Sequence, residues 1–574
     1  MTTPRHPAQK AGGFDTLAQA LDYAAQGQNG LRFFSTSGAV TSEYTYAQLR
    51  QHALQMATVL AQKKLPRGSR IALLAETRLE FIALFFACQY LGLLPCPLPF
   101  TLFAAGRDAY TQKLVLLLQA AQASLLVTPA SIEPVAQAAG EQLQITVVSY
   151  EALAQQAAAS PALNKDTPLQ ADDAAYIQFS SGSTSNPTGV LITQRAVAAN
   201  IAAILREGMQ ITPEDRAFSW LPYYHDMGLV GFVLAPISGQ VPIDYLPPAS
   251  FARRPALWLD LLSALHSTIT YAPGFAYALA AKRLDPDSRL DLSALRIAGI
   301  GGDMIHAATL KTFAQQMARY GFRLNAFAPS YGLAEATLAV TMTRPDQPPL
   351  IKHFTHTGHQ QELVSCGPPL PGYEIRIVPM PCDGISPAQP SSPADPVGEI
   401  WVKGPSIAAP NLTANQRQAA MDKDGFIATG DLGFVYENQL FVTGRSKDLI
   451  IIRGRNIWAQ DVEWTVAACD HAIRPQHVCA IGVPDGNSNG DGNGNNDGES
   501  EGERLVILVQ NHLSDPQQRA QLQQRLLQAV SAAYGVAATV LWVEPHQLTL
   551  TSSGKLARQA IRARFLSGTL SIIN

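Results

Sequence analysis

Tyr176–Val190 reads YIQFSSGSTSNPTGV: an apolar strand end runs into Ser180, Ser181, Gly182, Ser183, Thr184 and Ser185, then returns through Pro187 and Gly189 to an apolar run at Val190–Ile192. Small residues let a backbone close around an anion, while hydroxyls and free N–H groups supply donors. Such a loop suits a polyphosphate. It is not a Walker loop, because no Gly-Lys-Ser/Thr pattern ends it. A surface Ser/Gly linker has a similar composition, but a linker does not follow directly on a strand and lead into a second apolar run.

Outward from this loop, helical segments alternate with short apolar runs between Phe14 and about Val340. Arg70–Leu74 (RIALL), Ser124–Val127 (SLLV) and Thr146–Ser149 (TVVS) read as buried strands, and Tyr46–Ala61 and Arg78–Leu93 as helices. That alternation predicts an α/β architecture with parallel sheets covered by helices. The apolar stretch Phe81–Leu94 is too short to span a bilayer, and Pro95, Pro97 and Pro99 end it, so a buried helix is expected.

Past Cys366 the texture changes. Tyr373–Val378, Gly398–Val402, Phe434–Tyr436 and Leu440–Thr443 are short strands separated by Gly, Pro and Asp turns, which predicts a small antiparallel or barrel-like unit at about 363–445. A compact segment with strands near Leu449–Ile452, Val478–Val483 and Leu505–Val509 follows. The expected division is an N-terminal domain 1–445 and a small mobile α+β domain 446–574, with the boundary at Gly444–Asp448. Asp485–Glu503 contains no hydrophobic residue and reads as a mobile loop. Its Asp and Asn residues do not form the regular EF-hand pattern, and the terminal Glu of that pattern is absent.

The chain has 574 residues, 47% hydrophobic and 15% charged, with a formal net charge of −3. That balance gives no electrostatic case for nucleic acid or an anionic membrane as the main partner. The six cysteines show no CxxC spacing and read as reduced thiols of a cytoplasmic protein. Met1–Gly13 is polar, so no secretory signal is expected.

SSGSTSNPTGV is similar to the phosphate-binding loop of the acyl-adenylate-forming superfamily, which contains acyl-CoA synthetases, fatty acyl-AMP ligases, luciferases and peptide-synthetase adenylation domains. Further segments resemble that superfamily in the same order. WLPYYHDMGL (Trp220–Leu229) resembles its substrate-side segment, IGGD (Ile300–Asp303) and PSYGLAEAT (Pro329–Thr337) its adenine and magnesium segments, and TGDLG (Thr429–Gly433) its ribose segment. GRSKDLIIIRGRNIWAQDVE (Gly444–Glu463) resembles its hinge and TSSGKL (Thr551–Leu556) its C-terminal lysine loop. From Thr45 to Lys555 the resemblance covers nearly the whole chain.

The resemblance implies ATP and Mg²⁺, and a task for each residue. Attack of a carboxylate on the α-phosphorus joins two anions, so the site must neutralise charge and hold the attack in line. Lys555 matches the adenylation lysine, which bridges the carboxylate and the α-phosphate. Glu335, with Thr184 of the phosphate loop, matches the magnesium side. Tyr331, between Ser330 and Gly332, matches the aromatic that stacks on adenine. Gly301 and Gly302 give the base close backbone approach, and Asp303 accepts from an amino group. Asp431 matches the ribose acid, Arg445 a ribose- and phosphate-contacting arginine, His225 the pocket residue beside the carboxylate, and Lys447 the pivot. One departure is Thr188, which stands where many relatives carry a lysine; fatty acyl-AMP ligases commonly lack it.

Within the superfamily, the phosphate loop, WLPYYHDMGL, PSYGLAEAT and RGRNIWAQDVE are closest to fatty acyl-AMP ligases. The implied partners are a fatty acid and the phosphopantetheine arm of an acyl carrier protein, on the way to polyketide, lipopeptide or other specialised lipids. Phe218, Met227, Leu229, Phe232, Pro273 and Phe275 are candidates for the acyl tunnel. Such ligases carry an insertion after PSYGLAE that restrains the C-terminal domain and disfavours CoA. The interval Glu335–Cys366 looks short for it, which keeps an acyl-CoA synthetase in play. An aryl- or amino-acid adenylating enzyme and a silent AMP-binding regulator are the other competitors. The regulator would have no need of Glu335, Asp431, Arg445 and Lys555 together.

Overall fold

The computed structural model describes residues 8–100, 107–164, 169–179, 189–356, 359–379, 397–408, 421–452, 455–470, 473–484, 503–510, 513, 515–551 and 555–573. The predicted phosphate-loop residues Ser180, Ser181, Gly182, Ser183 and Thr184, and nearly all of the predicted mobile loop, lie outside them.

The helix Tyr46–Ala61 starts at a capping box: the Thr45 side chain accepts from the Gln48 N–H, and the Gln48 side chain accepts from the Thr45 N–H. It packs on Leu79–Leu91, whose side chains from Leu79 to Tyr90, apart from Glu80, are buried all round. A helix with no polar face must be covered on every side, and Gly92 closes it in the left-handed region at φ 65°. The membrane-like stretch is thus a core helix. Among the described residues no helix is long and apolar enough to cross a membrane.

Two sheets flank this core. One has four parallel strands in the order Leu94–Leu98, Arg70–Leu74, Leu125–Thr128, Thr146–Ser149. Pro95 and Pro97 sit on its edge strand, where a missing N–H costs least. The other has eight strands, from Ala339–Met342 at one edge through Phe327–Gly332, Ile297–Ile300, Ile269–Ala272, Ala217–Ser219, Ile243–Tyr245 and Gly30–Phe34 to Val40–Thr45. Its interior pairings are parallel and its two edge pairings antiparallel. At the start of its strands, Asp215 accepts from Arg296 Nε at 2.8 Å, Thr268 Oγ1 at 2.7 Å and the Thr212 N–H at 2.8 Å.

Glu374–Val378, Gly398–Lys403, Ile427–Tyr436 and Gln439–Arg445 form an antiparallel sheet. The hairpin Ile351–His356/His359–Val364 joins it through Phe354 and Leu363, which pack on Phe434 and Phe441. The last sheet runs Val478–Pro484, Glu503–Gln510, Ala538–Val543, Ile572–Ile573. Alternate residues face opposite layers: Val478, Ala480 and Ile507 meet the helices Ala459–Ala468 and Pro516–Tyr534, while Cys479, Ile481 and Leu508 meet Arg558–Leu566.

Candidate active site

The C-terminal ends of the parallel strands face the last sheet's helices, as expected for an open α/β fold whose site lies at strand ends. Between them is a cavity of about 860 Å³ lined by both parts of the chain. His225, Gly302, Asp303, Ser330, Tyr331, Gly332, Glu335, Asp431, Arg445, Lys447 and Lys555 all line it. Gly301 does not: a Cβ there would stand 2.9 Å from the Ser330 carbonyl and hydroxyl, so its smallness serves strand packing. Gly302, at φ +77°, makes the turn that brings Asp303 to the cavity.

Asp431 sits at the end of a strand pairing, opposite Arg445. Its Oδ2 accepts from the Tyr331 hydroxyl at 2.8 Å and its Oδ1 from Arg445 Nε at 3.0 Å. A carboxylate has about four acceptor positions, so two hydroxyls can still be received. Burial, then the Asp431 charge, pushes the Tyr331 phenol well above its ordinary value, so the ring stays neutral.

Glu335 is held by its backbone. Its carbonyl accepts from the Ala408 N–H at 2.8 Å, and the turn ends at Thr337, a β-branched residue at φ 70°. Thr337 is fully buried; its hydroxyl donates to the Ser406 carbonyl at 2.9 Å, and Asn200 donates to the Ala339 carbonyl at 2.7 Å and accepts from its N–H at 3.1 Å. Strain of this kind persists only where the surroundings over-determine it. Burial, then the charges of Asp226 and Asp431, raise the Glu335 carboxyl. The Arg445 charge acts against that rise without reversing it, and among the described residues no cluster of three or more His, Cys, Asp or Glu could hold an ion. Mg²⁺ suits that set, since it usually takes one or two carboxylates and completes its shell with phosphate and water.

His225 Nδ1 lies 2.6 Å from Asp226 Oδ1. Burial pushes the Asp226 carboxyl up, but His225, the Met227 N–H and the Lys555 charge together hold it below its usual range. Lys555 reaches this acidic end although it lies far along the chain, and it forms no ion pair among the described residues. Its segment closes on itself: the Thr551 N–H donates to the Lys555 carbonyl at 2.6 Å, and the Lys555 N–H to Thr551 Oγ1 at 3.2 Å.

The other end of the cavity is apolar. Met227, Phe232 and Phe275 line it as expected, with Ile204, Leu338 and Met342 beside them. Phe218 and Leu229 are fully buried in the core and Pro273 is off the wall, so three of the expected tunnel residues are replaced by others. Ile204 comes from a π-helical turn, Ile204–Gly208, and Phe232 from another, Val230–Leu234; neither turn carries a periodic signal in the sequence. Arg558 and Glu463, which also line the cavity, went unread; the only cue was the spacing of Arg558 just past Lys555.

A cavity with carboxylates and Arg445 at one part, apolar side chains at another and a lysine brought in by the C-terminal part of the chain is the arrangement expected of the adenylate-forming class of enzyme. The chain belongs to the AMP-binding enzyme family, whose model matches residues 21–410. It is 39% identical to a Caulobacter vibrioides protein named provisionally as an acyl-CoA synthetase, over 97% of this chain and 96% of that one. It is 31% identical to a medium-chain fatty acid–acyl-carrier-protein ligase of Moorena producens, again over 97% and 96%. Among solved structures it resembles one from work on fatty acyl-adenylate ligases of E. coli and L. pneumophila, with a TM-score of 0.88 and 34% identity over 98% of this chain and 99% of that one.

Proposed function

We propose that this enzyme activates a fatty acid with ATP, releasing pyrophosphate and forming the acyl-adenylate, and then passes the acyl group to the phosphopantetheine thiol of an acyl carrier protein. The observation that carries the reading is that Lys555 shares one cavity with Asp226, Glu335, Asp431 and Arg445, and that this cavity continues into an apolar end. The fatty-acid half is further supported by the Moorena producens relative and the fatty acyl-adenylate ligase structure.

In this reading the apolar end takes the acyl chain and sets the carboxylate beside His225. Asp431 receives the ribose hydroxyls, and Arg445 both orients Asp431 and adds positive charge. Lys555 draws the carboxylate oxygen toward the α-phosphate and stabilises the charge that develops there. Glu335, with Thr184, would hold Mg²⁺, which when bound offsets the triphosphate charge. The catalytic unit is then residues 1–445, and residues 446–574 form a lid that pivots near Lys447, withdrawing Lys555 so that a thiol can enter.

Lys555→Ala should lower acid-dependent ATP–pyrophosphate exchange by about a hundredfold or more, since a cation at the developing charge is lost. Intact exchange in that variant would sink the assignment. The second reading, transfer to CoA, is favoured by the Caulobacter vibrioides relative. The carrier protein is favoured by the Moorena producens relative. The hairpin Ile351–Val364 is tied to the helix Ala307–Met317 by Lys311–Glu362, and the shortness of the Glu335–Cys366 interval that holds it is what keeps CoA in play. Supplying wild-type enzyme, ATP and fatty acid with either CoA or a holo-carrier protein, and measuring thioester, separates the two.

A further inference from the structure

Arg558 opens the helix Arg558–Leu566, just past Lys555. Its guanidinium grips two elements at once. Nε and Nη2 donate to the two oxygens of Glu463 at 2.8 and 2.6 Å, and Nη1 donates to Asp448 Oδ2 at 2.9 Å. The next residue repeats the tie, with Gln559 Nε2 donating to the Lys447 carbonyl at 2.6 Å. The helix that bears Glu463 is also the one that meets the other half of the cavity. Gln460 donates to Asp303 at 3.2 Å, and the Trp464 ring lies 4.5 Å from the His306 ring.

These contacts form one chain of attachments. It runs from the N-terminal half through Ala459–Ala468 to Arg558, and from there to both the Lys447–Asp448 segment and the closed loop of Lys555. We propose that Arg558 is a positioning residue for adenylation: with Asp448 and Gln559 it fastens the Lys555 segment to the pivot, so that the lysine enters the cavity on a rigid body. The proposal rests on the reading of Lys555 as the adenylation cation and Lys447 as the pivot.

The physical need is plain. A lysine side chain is long and flexible, and its ammonium is useful only where charge develops, so the backbone that launches it must be fixed. Misplacement by about 1 Å at a reacting centre can lower a rate about a hundredfold. A bidentate arginine with a third bond to another element fixes both distance and direction.

Removing the guanidinium outright endangers folding, because Glu463 is buried at 4% side-chain exposure. The test therefore uses Asp448→Asn and Gln559→Ala, which loosen the pivot tie and keep the Glu463 pair. Turnover in ATP–pyrophosphate exchange should fall about tenfold in each, with KM for ATP held within about twofold. In a Lys555→Gln background, Asp448→Asn should lower the residual exchange no further, because a positioning residue has no effect once the group it positions is gone. Arg558→Lys should lose exchange as Asp448→Asn does, since an ammonium cannot span both carboxylates. Folded variants with unchanged turnover, or losses that add in the double variant, would overturn the proposal. If the wild-type enzyme shows no exchange with any acid, the reading of Lys555 fails first and the proposal goes with it.

Discussion

Two arginine–carboxylate clamps, one in the large sheet and one in the C-terminal part, are built differently. In the large sheet, Asp215 is 1% exposed at its side chain and receives Arg296, the Thr268 hydroxyl and the Thr212 N–H. Burial pushes that carboxyl up, yet its donors more than reverse the push and hold it below its usual range. In the C-terminal sheet a single guanidinium serves two carboxylates, and burial keeps the Glu463 carboxyl above its usual range despite Arg558. One clamp has donors to spare, as suits a fixed sheet. The other has acids to spare, and it ties two elements of the C-terminal part to one guanidinium.

The comparison breaks first if the fixed clamp proves dispensable. Arg296→Met strands Asp215 and should destabilise the protein by about 3–5 kcal/mol, read from urea unfolding, while the folded fraction keeps its exchange activity. Arg558→Met should cost less, about 1–3 kcal/mol, because a carboxyl already raised takes up a proton more readily. Its exchange activity should nonetheless collapse. Stability and activity therefore trade places between the two variants.

Acid sharpens the contrast. The folded-state pKa of Asp215 is depressed, so its contribution is present above the ordinary carboxylate value of about 4 and is lost as pH falls through the folded value. The Glu463 value is raised, so its contribution is present below about 4 and is lost as pH rises through the folded value. Urea midpoints for Asp215→Asn should therefore fall less steeply than wild type on the acid side. Those for Glu463→Gln should decline less as pH rises above about 4. Parallel curves for wild type and both variants would remove the distinction.

Much of this molecule was legible in its sequence. The helix Tyr46–Ala61 and the strands Arg70–Leu74, Thr146–Ser149 and Leu449–Ile452 carry their ends in local signals, a capping box or a β-branched run between turn residues. Asp431, Arg445 and Lys555 were legible only through the resemblance of their segments, TGDLG, GRSKDL and TSSGKL, to the acyl-adenylate-forming superfamily, and all three line the cavity. The clamps were not legible. Arg296 and Asp215, like Arg558 and Glu463, are far apart in sequence and meet only through tertiary packing. The cavity wall was half legible for a related reason: Phe218 and Phe232 are alike in sequence, and only the π-helical turn at Val230–Leu234 puts the second on the wall.

The smallest effect concerns the hairpin beside the cavity. Lys311 pairs with Glu362 at 49% and 30% side-chain exposure, and His353 lies 3.2 Å from the same carboxylate. Exposed pairs gain little, because water screens them and two flexible side chains must be held. The hairpin is anchored instead by Phe354 and Leu363, packed on Phe434 and Phe441. Lys311→Ala should thus change stability by less than about 0.5 kcal/mol. Phe354→Ala should cost several times more, about 3 kcal/mol, as a buried aromatic removed from a small cluster does. If Lys311→Ala proved as damaging as Phe354→Ala, surface charge and not burial would be holding the hairpin.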